Sequence, residues 1–270
     1  MMKKYLTLKI EKKNRWVHIA LNRPAVKNAL SEEMATELLN VLKEIKNDDE
    51  TKGITVRGSN GAFCAGADLK DFKNNFVLKT PTFEEVRNMN INAGILFREL
   101  AQIPKIVVAL VDGPAYAGGL GMVCCADVVI VTRAAKFSLS ETAIGLTPAQ
   151  ISPFLIKRLG LKTASKLMLT GMEFGAKEAL HIGLADELVA SEKELDEFKD
   201  KIISDTKKVA PRATAATKEI ISFSRDATLK DLSEFAADKF AECMLGEEAK
   251  EGLLAFSEKR KPYWYGNTDD

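Results

Sequence analysis

Apolar and polar positions alternate through YLTLKIEKKNRWVHIALN (5–22) and the alternation breaks at KKN, which predicts a β-hairpin. The period then changes. In SEEMATELLNVLKEIKND (31–48) the apolar positions are 34, 38, 41, 42 and 45, the spacing of a helix with one buried face. Ser31 stands at its N-cap, and Glu32 and Glu33 suit the positive end of the helix dipole. GITVRG (53–58) predicts a short buried strand, and FEEVRNMNINAGILFRELAQI (83–103) a helix that Pro104 stops. KIVVALV (105–111) predicts a strand, followed by a helix from about Gly119 to Ala126 and a strand at VVIVT (128–132). KFSLSE (136–141) predicts a strand or an extended segment.

Beyond this point the pattern is helical only. PAQISPFLIKRLG (148–160), TASKLMLTG (163–171), AKEALHIG (176–183) and EKELDEFKDKIISDTKKV (192–209) all fit a helix. Amphipathic helices with no strand candidates continue from Ala213 to about Lys259. The expected organisation is an α/β core over residues 1–200 and a helical region over 201–270.

A faint repeat runs through the first half. ITVRGSNGAFCAGADL (54–69) and IVVALVDGPAYAGGLG (106–121) each read strand, glycine turn, aromatic residue, Ala-Gly, helix. A repeat that carries strands and a helix suggests a coiling stack of ββα units. The two Ala-Gly turns would then lie at equivalent ends of neighbouring strands and face each other.

Composition narrows the function classes. The 270 residues suffice for one large domain with a full core. Lys plus Arg is 39 against 38 for Asp plus Glu, so the basic excess that nucleic-acid binding requires is missing. The N-terminus has no apolar signal core and no Arg-rich transit character, and no apolar run approaches the length of a membrane span. Cys64, Cys124, Cys125 and Cys243 show no paired metal or redox spacing and read as reduced thiols. The expected location is cytoplasmic. His18 and His181 fall in no metal motif and read as structural, and the absence of GxSxG argues against a serine hydrolase.

The chemistry centres on FCAGADL (63–69) and AYAGGLG (115–121). Each offers a backbone N–H at the mouth of a helix. Two such donors converging on one point make an oxyanion hole for a carbonyl oxygen that gains charge. A dinucleotide fingerprint fits less well, because Cys124 stands where its third glycine is needed. No phosphate-binding P-loop is present.

These blocks resemble the crotonase, or enoyl-CoA hydratase/isomerase, superfamily. The resemblance is carried in order by LNRPAVKNAL (21–30), GAFCAGADL (61–69), PKIVVALVDGPAYAGGLGMVCCAD (104–127), KFSLSETAIGLTPAQISPFLIKRLG (136–160), LTG (169–171), AKEALHIGLAD (176–186) and EGLLAFSEKRKP (251–262). It covers nearly the whole chain. It implies a crotonase-type spiral of ββα repeats with a helical C-terminal trimerisation region, assembled as a homotrimer or dimer of trimers, and an acyl-CoA thioester as substrate. By family position, the N–H groups of Ala67 and Gly118 form the oxyanion hole. Ala65, Gly66, Asp68 and Leu69 line the coenzyme pocket beside Gly119 and Gly121, and Lys27 and Ala29 lie near the adenine and phosphates. Lys259 or a neighbouring basic residue reaches a phosphate, in one arrangement across a subunit interface. No metal or redox cofactor is implied; coenzyme A arrives as part of the substrate.

The sequence departs from the pattern at one place. Two-carboxylate hydratases of the superfamily carry one glutamate in the second glycine block and another in the block after it. Here the first position is Gly121 and the second is Glu141. One carboxylate can still take the proton of an attacking water and return a proton to the α-carbon. Asp68 reads better as a helix cap than as a reacting group, and Asp127 as a buried structural acid. Gly121, the SET acid and PAQISPF together resemble the branched glutaconyl-CoA hydratases. The expectation is hydration of an enoyl-CoA with a branched or carboxylated acyl group. The alternatives are Δ3,Δ2-enoyl-CoA isomerisation, another crotonase-type lyase, decarboxylase or thioesterase reaction, and an acyl-CoA binder without catalysis.

Overall fold

The structure is a computed structural model, described over residues 5–68, 70, 80–224 and 227–265. Strands β1 (Leu8–Lys13) and β2 (Trp16–Leu21) form the expected hairpin, with Asn14 and Arg15 in left-handed conformation at its turn. Helix α1 (Glu32–Lys46) starts where Ser31 accepts a bond from the N–H of Met34. It buries Met34, Leu38, Val41, Leu42 and Ile45, the positions the periodicity marked. Strand β3 (Gly53–Gly58) follows. Helix α2 (Phe83–Gln102) opens on a reciprocal cap, in which Glu85 bonds the N–H of Thr82 and Thr82 bonds that of Glu85.

The chain continues through β4 (Ile106–Val111), β5 (Pro114–Tyr116), α3 (Gly118–Cys125), β6 (Val128–Thr132) and β7 (Lys136–Ser138). Then come α4 (Ser152–Thr170), β8 (Phe174–Gly175), α5 (Ala176–His181), β9 (Glu187–Val189) and α6 (Glu192–Thr206). The last three helices are α7 (Pro211–Phe223), α8 (Leu229–Met244) and α9 (Glu247–Ser257). Gly160, at φ 74° and ψ 159°, breaks α4 into the two helices read from sequence.

Two sheets share the core. The larger has the order β1-β2-β3-β4-β6-β9, parallel from β2 onward. Both its faces are covered, so β4 is a continuous apolar run rather than an alternating one. Val107, Ala109 and Val111 point into the main core under α1 to α4, while Val108 and Leu110 point to a second core closed by Leu195 and Ile203 of α6. The smaller sheet, β5-β7-β8, is continued by single parallel bridges at Cys64–Ala115 and Leu30–Ala67. Each turn of the chain therefore adds a strand to one sheet, a rung to the other and a helix outside.

The sequence expectation of helices alone after residue 148 is corrected by β8 and β9. Both are too short, at two and three residues, to show a period of their own. β9 is recruited by its neighbour β6: Ile130 pairs with Glu187 and Thr132 with Val189. Among the described residues no helix is long and apolar enough to cross a membrane.

Candidate active site

The rungs of the small sheet bring three segments together. The N–H of Tyr116 donates to the carbonyl of Cys64 at 2.9 Å, and the N–H of Ala117 to the carbonyl of Ser138 at 2.9 Å. The first bond joins the two glycine turns. The second joins the later turn to the strand that leads into Glu141. A Cβ added at Gly66 would lie 2.9 Å from the Cβ of Ala117, so the two turns touch as the repeat suggested. Gly66, at φ 93°, is in the one region of backbone space that strongly favours glycine.

The bridge between Leu30 and Ala67 leaves one donor over. Leu30 bonds the carbonyl of Gly66, and Asp68 bonds the carbonyl of Leu30, so the N–H of Ala67 faces away from this ladder. Gly118 is the first residue of α3, where a helical N–H has no intrahelical acceptor. Neither N–H donates to an acceptor among the described residues. Both residues are accessible, Ala67 exposed and Gly118 half-buried. Ala117 carries the strain of this arrangement. Its φ of 48° and ψ of −119° are costly for a residue with a Cβ, and it caps α3 without a side-chain bond.

Glu141 lies in a 3-10 turn over Ser140–Ile144. Its Oε2 is buried and has no hydrogen-bond partner. Burial pushes its carboxyl above the ordinary glutamate range, against a smaller opposing effect of its own backbone N–H. A half-buried acid that no neighbour satisfies is the kind of group that waits for a substrate proton.

The position of the missing second carboxylate is filled. A Cβ on Gly121 would fall 2.3 Å from Cγ2 of Ile151 and 3.1 Å from Cε1 of Phe97. Gly119 is buried against Cys64, whose carbonyl would lie 2.4 Å from an added Cβ, so this glycine permits close helix–strand packing.

The other expected residues are distributed as follows. The carbonyl of Lys27 accepts from the N–H of Ala65 at 3.0 Å, with the Lys27 side chain exposed and Ala29 buried behind it. Asp68 is buried. Burial acts to raise its carboxyl, but the Arg23 guanidinium at 2.9 Å and the N–H of Lys70 hold it below the usual range. That is an ion-pairing and backbone-bonding role; the helix that Asp68 was expected to cap lies, apart from Lys70, outside the described residues. Leu69 lies outside the described residues. Lys259 stands exposed just past α9, and no bond among the described residues joins it to the glycine turns. Asp127 differs from expectation in being exposed, because its carboxylate reaches out to the Lys218 ammonium at 2.6 Å; its other bond, from the N–H of Val107, is structural.

Sequence reasoning gave no role to several residues that build the site. Arg23 bonds the carbonyl of Ala29 as well as Asp68, and the fully buried Asn28 bonds the carbonyls of Ser59 and Ala62. Both lie in the LNRPAVKNAL block, whose density of Asn, Arg and Pro was the available signal. Ile151 and Phe97 gave no signal, since their relation to Gly121 exists only in three dimensions. A cleft of about 690 Å³, lined by Lys46, Gln102, Pro104, Phe223 and Phe235 among others, lies under α7 and α8 and shares no residue with the site.

Comparison with known proteins agrees with this architecture. The sequence profile of the enoyl-CoA hydratase/isomerase family matches residues 11–267. The short-chain-enoyl-CoA hydratase of Clostridium acetobutylicum is 31% identical over 93% of this chain and 95% of its own length. Two solved structures superpose with a TM-score of 0.92. Pseudomonas aeruginosa AtuE is 38% identical over 97% of this chain and 100% of its own. An enoyl-CoA hydratase/isomerase from Marinobacter aquaeolei is 35% identical over 96% and 99%. The fold is the crotonase spiral with a helical C-terminal region, and the chain belongs to the enoyl-CoA hydratase/isomerase family of enzymes.

Proposed function

We propose that the protein adds water across the α,β double bond of an enoyl-CoA thioester. The observation that carries this reading is the pair of unused N–H groups, on Ala67 and Gly118, together with the half-buried Glu141, whose Oε2 is buried without a hydrogen-bond partner. The thioester oxygen takes both N–H bonds. Ionised Glu141 removes a proton from water as the water oxygen bonds the β-carbon, and the π electrons move onto the thioester oxygen. The two N–H groups hold the resulting enolate. Glu141, now protonated, returns a proton to the α-carbon as the carbonyl reforms, which gives a 3-hydroxyacyl-CoA. No metal or redox group is needed for these steps.

In this reading Lys27, Ala29, Ala65, Gly66 and Lys259 serve the coenzyme portion, and the acyl group is branched or carboxylated. The assembly is a homotrimer or a dimer of trimers. In its support, α7 and α8 contain no buried residue, and Phe240 and Phe256 are 70% and 86% exposed.

Δ3,Δ2-enoyl-CoA isomerisation is the second reading, favoured by one observation: Ile151 leaves no room for a second acid at residue 121. The two are separated by ultraviolet absorbance of the conjugated enoyl thioester, with crotonyl-CoA, 3-methylglutaconyl-CoA and a 3-enoyl-CoA. Hydration removes the band and yields 3-hydroxyacyl product by mass. Growth of the band from the 3-enoyl substrate, with no hydration, replaces the first reading by the second. Tight binding of acyl-CoA without either change marks a binder.

A further inference from the structure

Arg57 and Asp112 each stand one residue ahead of a glycine at which a strand gives way to its turn, Gly58 at the end of β3 and Gly113 just past β4. Nε and Nη2 of Arg57 donate to Oδ2 of Asp112 at 3.0 and 2.6 Å. The Asp112 side chain is only 2% exposed, and its Oδ1 is buried without a hydrogen-bond partner, so Arg57 carries the whole of its pairing among the described residues. The same guanidinium reaches Oε2 of Glu192 at 3.0 Å and Oδ2 of Asp196 at 3.7 Å, both on α6, and is thereby held from outside the sheet as well. A buried ion pair adds little stability over an apolar pair of similar size. What it adds is a fixed length and direction between the two segments it joins.

From this pair the two turns are laced together as far as the unused donors. A Cβ on Gly113 would collide with the carbonyl of Gly61, so the second turn presses on the first directly after the pair. The N–H groups of Phe63 and Cys64 both donate to the carbonyl of Pro114 at 3.0 Å, and the N–H of Tyr116 to that of Cys64 at 2.9 Å. Ala67 lies three residues past Cys64, and Gly118 two past Tyr116. These are backbone bonds, and an offset between the segments at Arg57 and Asp112 is passed along them to the donors.

We infer that Arg57 and Asp112 are a positioning pair for the oxyanion hole, setting the separation of the Ala67 and Gly118 N–H groups from the start of both turns. The inference rests on the proposed acyl-CoA site and names residues that aim it without touching substrate. A misplacement of about 1 Å at a reacting centre costs about 10²-fold in rate.

The test reads the hole itself. The carbonyl stretch of butyryl-CoA, a saturated thioester isotope-labelled at that carbon, falls in frequency as its oxygen accepts hydrogen bonds. Infrared difference spectra of the full-length protein should show this fall on binding. In Asp112→Ala the stretch should return most of the way to its free value, and kcat on the accepted enoyl-CoA should drop by about 10²-fold with less change in KM. Asp112→Asn keeps an acceptor for Arg57 and should restore most of both. Lys218→Met is the control. It removes an ammonium at the opposite end of β4, bonded to the carbonyl of Lys105 and to Asp127, and should lower the melting temperature without moving the stretch. Arg57→Lys, a milder change, serves if Asp112→Ala does not fold, and should move the stretch in the same direction by less. An unmoved stretch in the folded variant overturns the assignment and leaves the acyl-CoA site intact. An equal movement in Lys218→Met also overturns it, since the effect would then be one of general stability. If the stretch does not fall on the unaltered protein, the oxyanion hole and the assignment go together.

Discussion

The N–H of Ala117 donates to the carbonyl of Ser138 at 2.9 Å, and this bond ties the strained turn before Gly118 to the strand that leads into Glu141. Ala117 precedes the donor by one residue, and Ser138 precedes the acid by three. The proposed oxyanion donor and the proposed acid/base are therefore held by one short ladder, not by flexible loops. Rigid placement of this kind is what electrostatic stabilisation of an enolate demands.

Glu141→Gln should lower kcat on an enoyl-CoA by about 10²–10⁴-fold, the usual worth of a general acid/base. The amide keeps the size of the side chain, so the affinity for the saturated thioester should change by less than about threefold. Steady-state kinetics and calorimetry on the same preparation check both halves. Near-normal turnover would remove Glu141 from the mechanism.

The same substitution should stabilise the protein. Burial raises the Glu141 carboxyl in the folded state, so the folded protein holds its proton to higher pH than the unfolded chain does. Stability from this group is present below the unfolded glutamate pKa and is lost as pH rises through the folded value. At pH 8 the Gln variant should therefore melt higher, by about 2–4 °C for each kcal/mol relieved, and the gain should vanish near pH 4. Scanning calorimetry at the two pH values decides it. The activity limb has the matching sign: turnover rises with pH as Glu141 loses its proton, with a midpoint above that of an ordinary glutamate.

Gly121→Glu should not create a two-carboxylate hydratase. The new Cβ meets Ile151 at 2.3 Å, and overpacking of this kind costs about 1–3 kcal/mol before the charge is counted. Adding Ile151→Ala should recover part of the loss, so the two changes should be non-additive in urea unfolding. Strict additivity would mean that the two side chains do not compete for one volume.

Ala117→Gly should be neutral or mildly stabilising in urea, because glycine accepts φ 48° without strain. Ala117→Val should lose about 2 kcal/mol or more at the same position. A glycine variant less stable than the valine variant would contradict the backbone geometry.

Lys52→Met should destabilise by about 2–4 kcal/mol. The Lys52 ammonium bonds the carbonyls of Thr206, Lys207, Val209 and Trp264 at 3.0–3.3 Å, and methionine would leave them without that donor. Denaturant unfolding measures the loss directly.

What could be read from sequence was local. Ser31, Pro104 and the apolar positions of α1 mark their elements through capping and periodicity. The glycine turns and Glu141 stand out because their chemistry is concentrated in short blocks. Ile151 could not be found this way, because an isoleucine ahead of a helix looks like any core residue until Gly121 is seen beside it. β9 was hidden for a related reason: three residues carry no period, and only the edge of β6 makes them a strand. Lys52 is the extreme case, since its partners lie more than 150 residues away.

That separation has a temporal side. A ribosome adds about 5–20 residues per second, so Lys52 leaves it roughly 10–40 s before Trp264, 212 positions later, can follow. During that interval β3 and its neighbours can pair, and the acceptors at Thr206, Lys207 and Val209 arrive before the one at Trp264. The bonding of Lys52 is therefore completed only when Trp264 arrives, and a protein shortened before Trp264 would keep the three-acceptor state that the growing chain passes through.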